Sequence, residues 1–277
     1  MIAPLLALGG AACWGVGDFF GGLASRRLAV LTVLVVSQAV GLAGVLAWVV
    51  ITGETFPGVV ELLPAAAAGV AGVVGLAALY RGLAVGAMGI VAPISAASPI
   101  VPLAVDASKG VVPAAVQWLG IGLVLAGIVT LSREPSAGRG SMAAGAALAM
   151  VAALGFGAFV VGLDAGADES AAWAVVAARA SSFSIAVVAA LLTRSSLRPP
   201  RPTLPMLVGV GAFDTGANVL VAAATTYGAA GIVAVLGALY PVVTVLLAWV
   251  VLGERLSPTK RAGGAIALAG AAVVAAG

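Results

Sequence analysis

The sequence predicts an all-α integral membrane protein whose ten transmembrane helices form two inverted five-helix repeats, residues 1–137 and 138–277. Three observations predict it: a composition suited to a bilayer, ten apolar stretches of spanning length, and a second half that resembles the first with its loop charges reversed. Of 277 residues, 62% are hydrophobic and 8% charged, with a mean hydropathy of +1.22. A soluble domain carries about a quarter charged residues, so 13 Lys+Arg and 10 Asp+Glu cannot cover a water-facing surface here. Inside hydrocarbon the backbone must satisfy its own hydrogen bonds. The chain lacks the alternating polar faces of a membrane barrel, which leaves helices.

A spanning helix needs about 20 predominantly apolar residues. Such stretches run approximately over 3–23, 28–51, 60–80, 87–106, 113–131, 142–163, 171–193, 204–226, 230–252 and 261–277. Only Arg81 and several glycines separate the third from the fourth, so nine and eleven spans are the alternatives. The first stretch, which passes through Cys13, has no basic segment ahead of it and reads as a span rather than a signal or lipoprotein leader. Trp48, Trp173 and Trp249 fall near span ends, where indoles either anchor at the interface or simply pack.

A shift of 142 aligns residues 86–101 with 228–243, giving 9 identities in 16 and matching Pro99 to Pro241. A shift of 140 aligns Gly15 through Phe19 with Gly155 through Phe159, and one of 143 aligns Gly120 and Gly127 with Gly263 and Gly270. Three matches in the same order outweigh the chance identity of Ala/Gly-rich sequence. Five spans per half is an odd number, so the second copy enters the membrane from the opposite side. The loop charges agree: Arg26 and Arg27 correspond to Asp164, Asp168 and Glu169, while Glu54 and Glu61 correspond to Arg194, Arg198 and Arg201.

Composition also excludes chemistries. With no histidine, the usual metal ligand, general base and pH switch are missing. The lone Cys13 forms neither an internal disulfide nor a metal cluster. The Gly-x-Gly at 15–17 does not join a strand to a nucleotide-binding helix. No metal or cofactor is expected, nor is nucleic acid, since the basic residues are dispersed among short loops.

Inverted repeats with short loops are common in secondary transporters. Leu239-Tyr240-Pro241, the run Leu252-Gly253-Glu254-Arg255-Leu256-Ser257-Pro258, and then Gly263 and Gly270 resemble the ending of each repeat in the EamA-type drug/metabolite transporter superfamily. The resemblance covers nearly the whole chain; half one departs from it, with Val111 and Val112 where the acidic residue falls. It implies a secondary transporter moving a small metabolite, an amino acid or an amphipathic drug-like compound, across the plasma membrane by alternating access, with export favoured. Coupling to protons and uncoupled facilitated diffusion are the alternatives for its energetics, the bilayer is the other partner, and no covalent catalysis is expected. A channel, or a membrane enzyme acting on a lipid-linked substrate, is the rival. The latter needs a cluster of acids, bases or phosphate-binding residues that the sequence does not display.

Intramembrane charges are the first site candidates, because a charge near the bilayer centre costs at least about 2.5–3.5 kcal/mol. Arg179 falls mid-span in the seventh stretch, and Asp214 in the eighth with Asn218 one turn on. Their pairing offsets that cost, either as a permanent clamp or as a pair for which substrate or a proton competes. Asp18, one turn after Trp14, either lines a polar mouth of the cavity or, more simply, snorkels to the interface. Gln38 roughly matches Arg179 under the repeat and bonds either substrate or another helix. Asp106 and Lys109 close the fourth span as interfacial groups. Pro93, Pro99 and Pro102 interrupt span four and Pro241 interrupts span nine, freeing carbonyls at matched places. Pro99 and Pro241 are the expected hinges, with Ser95, Ser98 and Tyr240 beside them as cavity-lining groups; Tyr80 is weaker.

Loops after odd spans hold Arg26, Arg27, Arg81, Arg133, Arg139, Arg194, Arg198, Arg201, Arg255, Lys260 and Arg261, whereas loops after even spans hold only Lys109. That bias puts the odd loops in the cytoplasm and both termini outside. Relatives of this type are commonly described with both termini inside.

Overall fold

The computed structural model describes residues 1–85, 91, 94–132, 142–195, 197–253 and 256–277. Pro93, Arg133, Arg139, Glu254 and Arg255 lie outside the described residues. Within them the chain is helical and holds no strand: α1 (Ile2–Ser25), α2 (Val30–Thr52), α3 (Val59–Val85), α4 (Ile100–Ser108), α5 (Ala115–Ser132), α6 (Met142–Ala167), α7 (Ala171–Leu192), α8 (Leu204–Thr225), α9 (Ala230–Gly237), α10 (Tyr240–Leu252) and α11 (Pro258–Ala276). Eight stretches are long and apolar enough to cross a membrane, α9 and α10 together forming one of them. The pass ending in α4 and the pass formed by α11 complete ten.

Helices stop and start where the backbone can be satisfied. Gly53 and Gly253 end α2 and α10 in the left-handed region, at φ 67° and 68°, a conformation that costs a residue bearing Cβ about 1–2 kcal/mol. Ser257 Oγ accepts the Lys260 amide at 3.2 Å to begin α11, with Pro258 in its first turn. The family-like run from Leu252 to Pro258 is thus, at its two ends, a helix stop followed by a helix start.

The two halves interleave. The most extensive helix contacts are α3 with α6, α5 with α11, α1 with α8, α3 with α7 and α2 with α7, and each joins one half to the other. Glycines set these approaches. A Cβ on Gly120 would stand 2.8 Å from Gly270 O, and one on Gly263 would stand 2.8 Å from Gly127 O. Both contacts obey the 143 shift, and low numbers on α5 meet high numbers on α11, so these equivalent helices run antiparallel. The same holds for α2 and α7, where Val35 packs near Ala186 and Ala190 while Gln38 meets Arg179. Antiparallel packing of equivalent helices is what an inverted repeat requires.

One register needs correcting. A Cβ on Gly15 would stand 2.7 Å from Tyr240 O and 2.5 Å from Val243 Cβ; one on Gly157 would stand 2.6 Å from Ser98 O and 2.5 Å from Val101 Cβ. Gly15/Gly157, Ser98/Tyr240 and Val101/Val243 are all 142 apart, so the 140 shift of the first span is replaced by the shift that governs Pro99 and Pro241. Letter identity favoured Gly15 with Gly155; packing pairs Gly15 with Gly157.

Span nine breaks at Ala238–Leu239 between α9 and α10, and the turn over 96–99 breaks span four before α4. Pro241 lies in the first turn of α10, where its missing N–H costs nothing, and Pro99 caps α4. Each break is seated on a glycine of the opposite half, Gly15 or Gly157.

Candidate functional site

All six carboxylates of the described loops and helix ends, Glu54, Glu61, Asp106, Asp164, Asp168 and Glu169, fall at one end of the bundle. Arg26, Arg27, Arg194, Arg198, Arg201, Lys260 and Arg261 fall at the other. Between these acidic and basic faces lies a cavity of about 600 Å³ lined from both halves. Its walls reach Ser25 and Val30, the exposed junction of α1 and α2 on the basic face, so the cavity opens that way. Towards the acidic face the buried side chains of Leu103, Leu163, Val175, Val221 and Leu236 close it.

The predicted polar residues meet in this cavity. Arg179 on α7 is 4% exposed; its Nη1 lies 2.6 Å from Asp214 Oδ2 on α8 and donates to Gln38 Oε1 on α2 at 2.7 Å. Gln38 and Arg179 are 141 apart, and that shift also relates Ser37, whose carbonyl Gly211 approaches, to Ala178, whose carbonyl Gly69 approaches. Pseudo-equivalent residues of α2 and α7 therefore touch across the centre. Gln38 makes the interhelical bond while also lining the cavity. The Nε and Nη2 of Arg179 are buried without a protein partner.

Trp14 Nε1 donates to Asn218 Oδ1 at 3.0 Å, and its ring meets Tyr240 edge-on with centroids 6.5 Å apart. Asp18 is exposed and lines the cavity. It comes from the same tight helix pair as Asp214, since a Cβ on Gly17 would stand 3.4 Å from Asp214 N. Ser95, Ser98, Tyr240 and Pro241 also line the cavity; Pro99 is fully buried behind it. Ser95 Oγ donates to Val91 O at 3.0 Å. The backbone of Tyr80 belongs to α3. Asp106, near the end of α4, is 6% exposed, with its carboxylate accepting the Gly231 amide at 2.7 Å.

Ser182, Phe156 and Phe159 are among the lining residues that the sequence did not single out. Ser182 donates to Gln38 Oε1 at 3.3 Å, and its position one turn after Arg179 was an available signal. Phe156 and Phe159 add aromatic surface; under the 142 shift Phe156 corresponds to Trp14. Among the described residues no group of three or more His, Cys, Asp or Glu is placed to hold a metal ion.

Ten passes, interleaved antiparallel halves and a central, mainly apolar cavity with a few polar side chains suit a multi-pass membrane transporter. The EamA-like transporter family model matches residues 1–133 and again 143–276, and the chain belongs to that family. A curated relative from Streptantibioticus cattleyicolor, described as "Probable terminal-alkyne amino-acid exporter", is 37% identical over 124 residues, which is 43% of this chain and 39% of the relative. The matched stretch thus spans well under two thirds of that relative. A solved structure titled "Crystal structure of protein" superposes with a TM-score of 0.81 at 17% identity, covering 98% of this chain and 95% of the other, and shows the shared fold. Family and relative both point to transport of a small molecule across a bilayer rather than to an enzyme.

Proposed function

We propose that the protein exports a small zwitterionic metabolite of the amino-acid class across the plasma membrane by alternating access, its two halves (1–137 and 138–277) rocking about the central cavity. One observation carries the reading: Arg179 lines the cavity, is 4% exposed, and keeps two N–H groups without a protein partner. A buried unpaired donor costs about 1–3 kcal/mol, more when charged, so a site that retains two suits a ligand that accepts both. A planar carboxylate matches the guanidinium fork. The charges complete the match, because Asp18 and Asp214 outnumber Arg179 on the cavity wall and leave a carboxylate for an ammonium. Trp14, Tyr240, Phe156 and Phe159 offer aromatic surface to an apolar side chain. The opening towards the basic face supports export, since basic loops mark the cytoplasmic side. In the amino-acid relative that chemistry belongs to the relative's own name; here it rests on the cavity.

Counterflow in proteoliposomes tests the proposal. Internal unlabelled amino acid should accelerate entry of the same labelled amino acid, with saturation; flux that neither saturates nor shows counterflow refutes a carrier and indicates a channel. Proton coupling is assigned to Asp214, the carboxylate bound to Arg179. Asp214→Asn is expected to abolish flux driven by a pH gradient while exchange stays measurable, and unchanged gradient-driven flux refutes that assignment.

A further inference from the structure

At the acidic face, three polar ties cross from one half to the other. The buried Asp106 carboxylate, at the end of α4, accepts the amide of Gly231 in the first turn of α9 at 2.7 Å. The two backbones are close here, since a Cβ on Gly231 would stand 2.8 Å from Leu103 Cα. Glu54, after α2, accepts the hydroxyl of Ser170, which simultaneously caps α7 by accepting the Trp173 amide at 3.2 Å. The Trp173 indole Nε1 in turn donates to Glu54 O at 3.2 Å, and its ring meets Phe56 edge-on at 4.9 Å.

The repeat supplies the comparison. Under the shift of 142 Asp106 corresponds to Ala248, and under the 141 of α2 and α7 Ser170 corresponds to Ala29, Trp173 to Thr32 and Glu54 to Ser195. Ala29 stands at the start of α2 with no side chain to cap it. Packing glycines are mirrored between the two faces, but these chemical groups are not. We propose that Asp106 and the Glu54–Ser170–Trp173 group are latches that hold the cavity shut at the acidic face and must part for it to open there. They are positioning residues, outside the cavity, that set which face the empty protein exposes. Trp173 therefore acts as a cross-half contact more than as an indole floating at the headgroups.

This inference rests on the alternating-access reading, and cavity labelling tests it without needing a substrate. In a Cys13→Ala background, Ala96→Cys places a thiol on the cavity wall, and a membrane-impermeant maleimide is applied from each face in vesicles of defined orientation. Asp106→Ala is expected to raise the labelling rate from the acidic face about tenfold, the factor set by one charge-assisted hydrogen bond. Trp173→Phe, which leaves an aromatic ring for Phe56 but removes the N–H together with part of the indole surface, is expected to raise it about threefold; it also carries the test if Asp106→Ala does not fold. Asp168→Asn, an acidic-face control, should leave the rate unchanged. Unaltered acidic-face labelling in the Trp173 variant, or an equal rise in the Asp168 control, overturns the latch. The transport reading fails separately, if the unsubstituted protein shows no counterflow.

Discussion

Arg179→Lys separates a substrate-binding guanidinium from a structural clamp. A lysine ammonium retains the charge that pairs with Asp214, now at 2.6 Å from Nη1. The exchange removes Nε and Nη2, the two buried N–H groups without a protein partner. If the arginine only clamps α7 to α8, losing two unpaired donors is neutral or favourable, each having cost about 1–3 kcal/mol. If a substrate carboxylate uses them, at least one charge-assisted hydrogen bond of about 1.5–3 kcal/mol is lost. At 1.4 kcal/mol per tenfold, affinity falls roughly 10- to 150-fold. Ligand-induced stabilisation of the purified protein gives affinity, and proteoliposome counterflow gives KM. The decarboxylated amine of the best substrate serves as control, because it should bind the variant and the unsubstituted protein equally. An apparent Kd for the amino acid within twofold of the unsubstituted protein, with the melting temperature held, refutes the carboxylate site and leaves Arg179 as a clamp.

Gly157→Ala drives a methyl to 2.6 Å from Ser98 O and is expected to cost about 1–3 kcal/mol, read as a lower melting temperature, whereas Gly122→Ala has open space and should be neutral or stabilising. Equal melting temperatures for the two remove the seat assigned to the elbow of span four. Trp14→Phe leaves a smaller aromatic ring against Tyr240 and Asn218 Oδ1 unpaired at a residue 5% exposed; destabilisation of about 1–3 kcal/mol is expected in thermal unfolding, and none argues that the bond does not form. Reporter cysteines at Asp168 and Arg198, each in a Cys13→Ala background, fix orientation in intact cells. Basic loops in the cytoplasm require an impermeant maleimide to label the former and not the latter, and the reverse pattern inverts the protein.

The fold was legible because its signals are cumulative. Twenty apolar residues announce a span whatever its neighbours do, and Pro99 with Pro241 announces matched breaks. What letters hid was register: Gly15 and Gly157 share a role that appears only when Tyr240 O and Ser98 O are seen pressing on them. The polar residues of the cavity were legible because charge in a bilayer is expensive, and Arg179, Asp214 and Gln38 stand out against Ala and Val. Phe156 and Phe159 did not, because an aromatic in an apolar span carries no such contrast. The partner of Asp106 was hidden for a related reason. Near a span end a carboxylate looks solvated, and only the approach of α9 shows that its partner is a backbone amide from the opposite half.

Mirrored packing and unmirrored chemistry have different consequences for a two-state carrier. If the halves were identical, the conformations open to either face would be related by a two-fold rotation and equal in free energy, and the empty protein would populate both alike. The glycine seats at Gly15/Gly157 and Gly120/Gly263 favour neither face, since each contact in one half has its counterpart in the other. Any preference must then come from groups lacking a counterpart, such as Asp106, Ser170 and Trp173 on the acidic face. A bias of about 1.4 kcal/mol is enough for a tenfold preference, so one buried carboxylate–amide bond suffices to set the side from which the empty cavity is filled. On the proposed alternating-access reading, a few polar residues at the rim set the resting side of the empty cavity, while the gradients across the membrane set the direction of net flux.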